Sequence, residues 1–394
     1  MKPSPPAEIR ADDELAAADV RVMLTAPSRT ALLENLGITG ADATDLLPLL
    51  DAAAADEEVL AEVTATANRL RAAAGLEVPE VDLAAEKDRH DALQRRLAPG
   101  EGLVAILAPL VSTSTVRAWH AARGLTPEQS WEVLADLGQQ MRVHRAGTGH
   151  LGLHQLNWVS MNWAGRLVHL GRLQFDLHRQ RAALLAGTGS TPSADGSAPL
   201  ANGPAPLADG PGGPVDGPVA PAAGPAPSAG DPSRWVLGTH IPARGPLDPA
   251  EVDASFDAAT AYFTEHYPEL GAGRGAEEPA FGREFVCDSW SLSDQLAEIT
   301  GEDSNLARFA ARWEMLERSR MDDGALFFVF GRRPPVDVAA LPAPHASSAG
   351  SPSASRTGVA GPADSGACSA EPAHHSPGSR GLRLRSRCPT RRRG

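Results

Sequence analysis

The chain has 394 residues, enough for two or three domains that each bury a core. Its 34 Pro and 38 Gly exceed what one compact fold uses throughout, so part of it is expected to lie outside any core. The formal charge of −13 excludes a chain built to coat nucleic acid or an anionic membrane. That charge is uneven: from His345 onward eight Arg face only Asp364 and Glu371, so the acidic excess belongs to the preceding residues. Cys287, Cys368 and Cys388 make neither a disulfide framework nor a paired zinc pattern, which points to a reducing, cytoplasmic setting. The opening MKPSPPAEIRADDE lacks the apolar core of a signal peptide, and no run of about 18 apolar residues offers a membrane span.

Residues 12–146 read as a helical domain. In ADEEVLAEVTATANRLRAAAGL, Val59, Val63, Leu70 and Ala74 fall near one face, and Gly75 closes the helix. GLVAILAPLVSTSTVRAWHAARG is apolar enough to be buried. Thr126-Pro127-Glu128-Gln129 then has the form of a capping box with Pro at the first helical position, opening a helix that aligns Trp131, Leu134, Leu137 and Met141. LLENLGITGADATDLLPLL has a helix-turn-helix flavour, but Glu34, Asp42, Asp45 and Asp51 are the wrong charge for a DNA-facing helix, so helix packing is expected and no nucleic-acid partner.

Residues 147–340 read as an α+β domain. GRLQFDLH alternates Leu173, Phe175 and Leu177 with Arg172, Gln174 and Asp176, and RWVLGTHIP continues the period-two pattern through Trp235, Leu237, Thr239 and Ile241. Between them Gly, Pro and Ala supply 31 of the 46 positions in 187–232, a composition too poor in large apolar groups to offset the entropy of ordering. The simplest arrangement is strand, extended disordered connection, strand, because loop-closure entropy grows only with the logarithm of length. Asp248-Pro249 caps a helix carrying Val252, Phe256, Ala259 and Phe263 inward; GREFVCDSW reads as a strand and SDQLAEIT as a short helix. LARFAARWEML reads as a half-buried strand, with a helical reading left open, and ALFFVFG as its hairpin return after Asp322-Asp323-Gly324. Residues 341–394 show no periodicity and are expected to form a disordered basic tail.

Several patterns carry little chemistry. No GxSxG elbow is present. His150 and His154 are four apart but have no third ligand at metal spacing, so no metal is expected. His144-Arg145-Ala146-Gly147-Thr148-Gly149 has glycines of a phosphate loop but follows a helix, and reads as a linker.

The succession ADLGQQM, LGRLQFDLHR, LGTHIPARGPLDPAEVDASFDAATAYF, FVCDSWSLSDQL, SNLARFAARWEML and FVFGR resembles the acyltransferase-domain proteins of actinobacterial and clostridial type, in which a helical N-acyltransferase-type domain precedes a domain similar to the GCN5-related N-acetyltransferases. The resemblance spans about residues 12–336 outside the Pro/Gly insert. It implies a mixed sheet with flanking helices and an acyl-CoA cosubstrate, acetyl-CoA foremost. It also implies a further helical segment after Val336; the abrupt Ser/Pro/Arg-rich text there suggests a reading-frame change or a truncation.

Such chemistry needs amides at a helix N-terminus for the pyrophosphate, an opened strand edge for the pantetheine, and a base for the acceptor amine. THIPARGPLDPAEV offers the first, placing Ile241, Arg244, Gly245, Leu247 and Asp248 as cofactor-binding candidates. It lacks the Arg/Gln-x-x-Gly-x-Gly/Ala loop of the acetyltransferases, Pro246 removes one amide, and the Asp248 carboxylate would compete with phosphate. An ordinary strand-to-helix turn explains the same residues. For the base, His240 at the end of the central strand and Asp288 at the end of the next are the candidates, with Ser289 beside it, although Asp288 and Ser289 are also suited to capping. Cys287 reads as a small buried residue, and Tyr262 as a packing residue that could alternatively protonate a thiolate. The expectation is acyl transfer from acyl-CoA to a small-molecule or peptide amine; the alternative is a non-catalytic acetyltransferase-like protein that binds a ligand or partner.

Overall fold

The computed structural model describes residues 14–181, 233–242, 244–271, 281–293, 295–320 and 380–387. The Pro/Gly-rich segment 187–232 and the ALFFVFG segment lie outside them.

The helical half runs α1 (Ala17–Thr25), α2 (Arg29–Asn35), α3 (Gly40–Ala55), α4 (Glu57–Ala73), α5 (Lys87–Gln94), α6 (Leu103–Ala122), α7 (Pro127–Leu134), α8 (Asp136–Thr148) and α9 (Leu156–Trp163). Asp56 caps α4, its carboxylate accepting from the amides of Glu58 and Val59, and the inward stripe is Val59, Val63, Ala67 and Leu70. Thr126 and Gln129 form the reciprocal capping box of α7. The single helix expected from that box is two, α7 and α8, meeting at Ala135, and α8 continues through the His144–Thr148 stretch read as a linker. The core of this half is built on α6, which is buried on nearly all sides.

The second half is one mixed sheet: β1 (Leu167–Leu170), β2 (Leu173–Arg181), β3 (Ser233–His240), β4 (Glu284–Ser289), β5 (Glu314–Arg320) and β6 (Arg380–Arg387), in spatial order β1-β2-β3-β4-β6-β5. All neighbours are antiparallel except β3 and β4, which run parallel. Strands β2 and β3 pair along their length, from Gln174 opposite His240 to Arg181 opposite Ser233, as expected for strands flanking an inserted connection. Helix α10 (Pro249–His266) lays Val252, Phe256, Ala259 and Phe263 on one face of the sheet, where Phe256 meets Phe175 and Phe285 edge to face. Two short helices follow β4, α11 (Gln295–Thr300) and α12 (Asn305–Ala310).

Two expectations are corrected. LARFAARWEML is not a strand throughout: Ser304 caps α12, whose Phe309 is buried against Trp313, and extended backbone begins only at Glu314. Alternation and helical spacing overlap in so short a run, and the Ser304 cap decides between them. In the tail, Arg380–Arg387 forms the strand between β4 and β5; RGLRLRSR alternates Leu382 and Leu384 with Arg383 and Arg385 over too few residues to stand out.

The two halves are latched. Arg123, at the end of α6, donates to the carbonyl of His266 at 2.7 Å, pairs with Glu269 at 2.7 Å, and packs over the rings of Trp119 and Tyr267. Tyr262 donates its hydroxyl to the Arg123 carbonyl at 2.9 Å.

Candidate active site

Strands β3 and β4 pair only through Leu237–Phe285 and Gly238–Val286, although β3 continues to His240 and β4 to Ser289. Their C-terminal ends therefore open, with His240 and Asp288 each two residues beyond the last pair. Ligands of open sheets gather at such an opening.

His240 Nε2 lies 2.7 Å from Asp176 Oδ1, and His178 Nδ1 lies 3.1 Å from Asp176 Oδ2. A carboxylate only accepts, so His240 carries its proton on Nε2 and keeps Nδ1 as the basic nitrogen. Asp176 is 2% exposed. Burial alone would push its carboxyl up, but the two imidazoles outweigh it and hold the group well below the usual carboxylate range. Opposite Asp176 stands Gly238, the one residue type that leaves room for this carboxylate, since a Cβ there would sit 1.9 Å from Oδ1.

The helical half closes the other side. The Trp158 ring from α9 meets His240 edge-on at 4.8 Å between centroids, and its indole N–H donates to Asp136 at the start of α8. Burial pushes the Asp136 carboxyl up, against hydrogen bonds from Trp158, Gln140 and Asn162. His169, on β1, is pulled down to about 4 by burial and by Arg244. Glu132, on α7, receives the guanidinium of Arg244 and stands 3.7 Å from His169 Nδ1. The opening at the end of β3 is thus lined by an imidazole with a fixed tautomer, a buried carboxyl, an indole and one ion pair.

Of the residues singled out from the sequence, the structure places His240 in this constellation and supplies Asp176 as its carboxylate partner, not Asp288. Ser289 caps the turn Trp290–Leu292, its Oγ accepting from the Ser291 amide at 3.2 Å. Cys287 is buried, which pushes its thiol up and leaves it a packing residue. The Tyr262 hydroxyl is committed to the latch.

The expected phosphate turn is also resolved in its parts. Asp248 Oδ1 accepts from the amides of Ala250 at 2.9 Å and Glu251 at 3.3 Å, so these two amides are taken up by the helix cap. Arg172 spans the turn beneath, donating to the carbonyls of Pro242, Gly245 and Pro246 at 2.8–3.1 Å. Leu247 is buried in the sheet core, while Ile241 is half-buried against it and Gly245 is exposed. Arg244 is the cation that reaches across to the helical half.

Sequence reading missed Asp176, Trp158, Asp136 and His169. The available signal was Gly238: a glycine inside RWVLGTHIP marks a close approach from the neighbouring strand.

Residues 28–165 match the N-acyltransferase N-terminal domain and residues 167–347 the GNAT-like C-terminal domain. No curated protein matches the chain. Among solved structures, an acyltransferase in complex with CoA and 10C-teicoplanin is 23% identical with a TM-score of 0.50, covering 84% of this chain and 91% of that one. An acyltransferase in complex with decanoyl-CoA and teicoplanin is 24% identical, with a TM-score of 0.50 and the same coverages of 84% and 91%. An acyltransferase mutant in complex with octanoyl-CoA is 23% identical, again with a TM-score of 0.50 and coverages of 84% and 91%. These likenesses speak for the fold. With its two halves matched in order over most of its length, the chain belongs to the N-acyltransferase family that joins a helical N-terminal domain to a GNAT-like C-terminal domain.

Proposed function

We propose that the enzyme transfers an acyl group from acyl-CoA to the amine of a small-molecule or peptide acceptor, with His240 as the base. The observation that carries this reading is the buried Asp176 carboxylate on His240 Nε2 at the place where β3 and β4 part. The amine nitrogen attacks the thioester carbonyl and gives its proton to His240 Nδ1. Collapse of the tetrahedral intermediate breaks the carbon–sulfur bond, and the same proton passes to the departing thiolate. Asp176 holds the imidazole in the required tautomer and offsets the charge it gains. Asp288 and Ser289, on the other lip of the opening, stand as positioning residues for the pantetheine or the acceptor.

Because Asp248 occupies two first-turn amides, phosphate binding rests in this proposal on Arg244, which would exchange Glu132 for a phosphate oxygen, with Ile241, Gly245 and Leu247 shaping the strand end. The same capping favours a second reading, a non-catalytic member that binds a ligand or partner in the cleft. The similar solved structures hold octanoyl- and decanoyl-CoA, so the acetyl group expected from the sequence is tested beside them.

Calorimetry of the full chain with acetyl-, octanoyl- and decanoyl-CoA, followed by mass spectrometry of mixtures with amine-bearing acceptors, separates the readings. Binding of at least one acyl-CoA and its enzyme-dependent transfer are expected. Absence of binding at millimolar concentration would end the acyltransferase assignment for this site.

A further inference from the structure

Away from this cleft, three ligand-bearing side chains of the helical half converge. His144 is on α8, His154 is in the loop that follows it, and Glu101 precedes α6; their ligand atoms all lie within 4.8 Å of one another. His144 Nε2 is 3.1 Å and His154 Nδ1 2.5 Å from the same oxygen, Glu101 Oε1, and the two rings lie 4.3 Å apart.

The hydrogen-bond partners of the cluster suit a cation. His144 Nδ1 faces the main-chain carbonyl of His150 at 3.1 Å and the Thr148 hydroxyl at 3.3 Å, and donation to that carbonyl frees Nε2 as a ligand atom. Nε2 then points at Glu101 Oε1 from 3.1 Å, and His154 Nδ1 points at the same oxygen, the arrangement of ligands around a shared cation. The backbone carbonyl on the far nitrogen is the outer-shell partner that orients metal-binding imidazoles. His144 is almost wholly buried, whereas His154 and Glu101 keep about a quarter of their side chains exposed, which gives an ion a way in and a position for water.

The segments carrying the ligands are already held together by the main chain. Glu101 bridges Gly152, and the Leu153 amide donates to the Glu101 carbonyl at 3.3 Å. Gly152 has to be glycine here, because a Cβ would lie 2.4 Å from the His144 ring and 2.8 Å from the Glu101 carbonyl. Lys87 bonds the other carboxylate oxygen, Oε2, at 2.6 Å, and leaves Oε1 to the imidazoles. The cluster of Glu62, Glu86 and His90 differs on this point, since Arg69 and Arg89 both reach into its two carboxylates.

We infer that His144, His154 and Glu101 form a binding site for a divalent transition ion of the zinc class, which clips the start of α6 to the α8–α9 loop. Two nitrogen donors and one carboxylate oxygen suit such an ion, and zinc–nitrogen distances of about 2.0–2.1 Å require only a slight opening of the present cluster.

The test uses chelator-stripped full chain titrated with ZnCl2 against a chromophoric competitor, together with His154→Ala and Glu101→Gln. The wild type should take up one equivalent more than either variant, or bind it roughly tenfold or more tightly, and its melting temperature should rise by several degrees with zinc while theirs does not. Cobalt chloride on the wild type should give visible d–d bands that zinc removes and that His154→Ala lacks. Equal zinc uptake and equal zinc-dependent melting in wild type and both variants would overturn the assignment and leave the cluster a structural imidazole–carboxylate contact. His154 is part-exposed, so its variant should fold, and melting of all three proteins without metal verifies that.

Discussion

Asp176 and Gly238 face each other across the antiparallel pair of β2 and β3, and a methyl group on Gly238 would lie 1.9 Å from the Asp176 carboxylate. The carboxylate that orients His240 can therefore stay buried only because the residue opposite has no side chain. Gly238→Ala should displace Asp176 or part the strands, costing about 1–3 kcal/mol as an overpacked site. Acyl transfer should fall further than that stability loss accounts for. Urea unfolding and steady-state rates on the same variant check both halves of the expectation; an alanine variant of wild-type stability would mean that the carboxylate has another resting place.

His240→Gln keeps a side chain of similar reach but no basic nitrogen. Transfer to the amine should drop about 10²–10⁴-fold, the span of a lost general base, while the melting temperature moves little. Asp176→Asn should also slow transfer, since the amide can donate to His240 and turn the basic nitrogen away from the acceptor. Binding of acyl-CoA should survive both changes. Rates within a factor of a few of wild type in His240→Gln would move the base elsewhere, and Asp288 would be next to be replaced.

Much of this fold is legible in particular residues. Asp56, Thr126 with Gln129, and Asp248 before Pro249 announce three helix starts, and the stripe Val252, Phe256, Ala259 and Phe263 gives the buried face of α10. His240 is legible as a strand-end imidazole. Its partner is not, because alternation in GRLQFDLH puts Asp176 on what reads as a wet face. That face is covered: Arg166, which donates to the carbonyls of Gly75 and Val78, and Glu80 come over it from the helical half, and Gln174 and Asp176 are 3% and 2% exposed. Period-two patterning reports the side chains of one strand and is blind to what another domain lays on top. The same blindness hid the Glu101–His144–His154 cluster, whose members are 43 and 10 residues apart and meet through a bridge of main chain.

Acid should weaken the fold through two buried imidazoles. His120, bonded to Ser130 on α7, is pulled down to about 4 by burial and by Arg117, and His169 to about 4 by burial and by Arg244. In the unfolded chain a histidine binds its proton near about pH 6.5. Between these values the unfolded state takes up protons that the folded state refuses, so unfolding free energy falls as pH drops through the window, by up to about 1.4 kcal/mol per unit per group. Above about pH 6.5 both forms are neutral and neither histidine contributes a slope. Asp136 and Glu80, pushed up by burial, act in the opposite sense as they protonate in the folded state first. Urea midpoints at about pH 7.5 and about pH 5 should differ in the wild type and draw together in His120→Gln with His169→Gln. An unchanged difference would mean that both rings accept protons in place.

The latch at Arg123 decides whether the two halves melt as one. Its guanidinium pairs with Glu269, donates to the His266 carbonyl, and covers the rings of Trp119 and Tyr267, while its own carbonyl accepts from Tyr262. Arg123→Ala removes the first four of these and leaves Glu269 and a carbonyl without their cation. A loss of about 2–4 kcal/mol is expected, beyond what an exposed ion pair could explain. Tyr262→Phe removes one hydrogen bond and should cost about 1 kcal/mol. The cleft that holds His240 is bounded by both halves, through Trp158 on one side and β3 on the other. Loosening the latch should therefore raise KM for the acceptor more than for acyl-CoA, whose proposed contacts lie within the second half, in the turn after β3 and at the end of β4. Calorimetric scans should show one cooperative transition in the wild type, and a broadened or divided one in Arg123→Ala. A single sharp transition at the wild-type temperature would show that the halves are joined elsewhere.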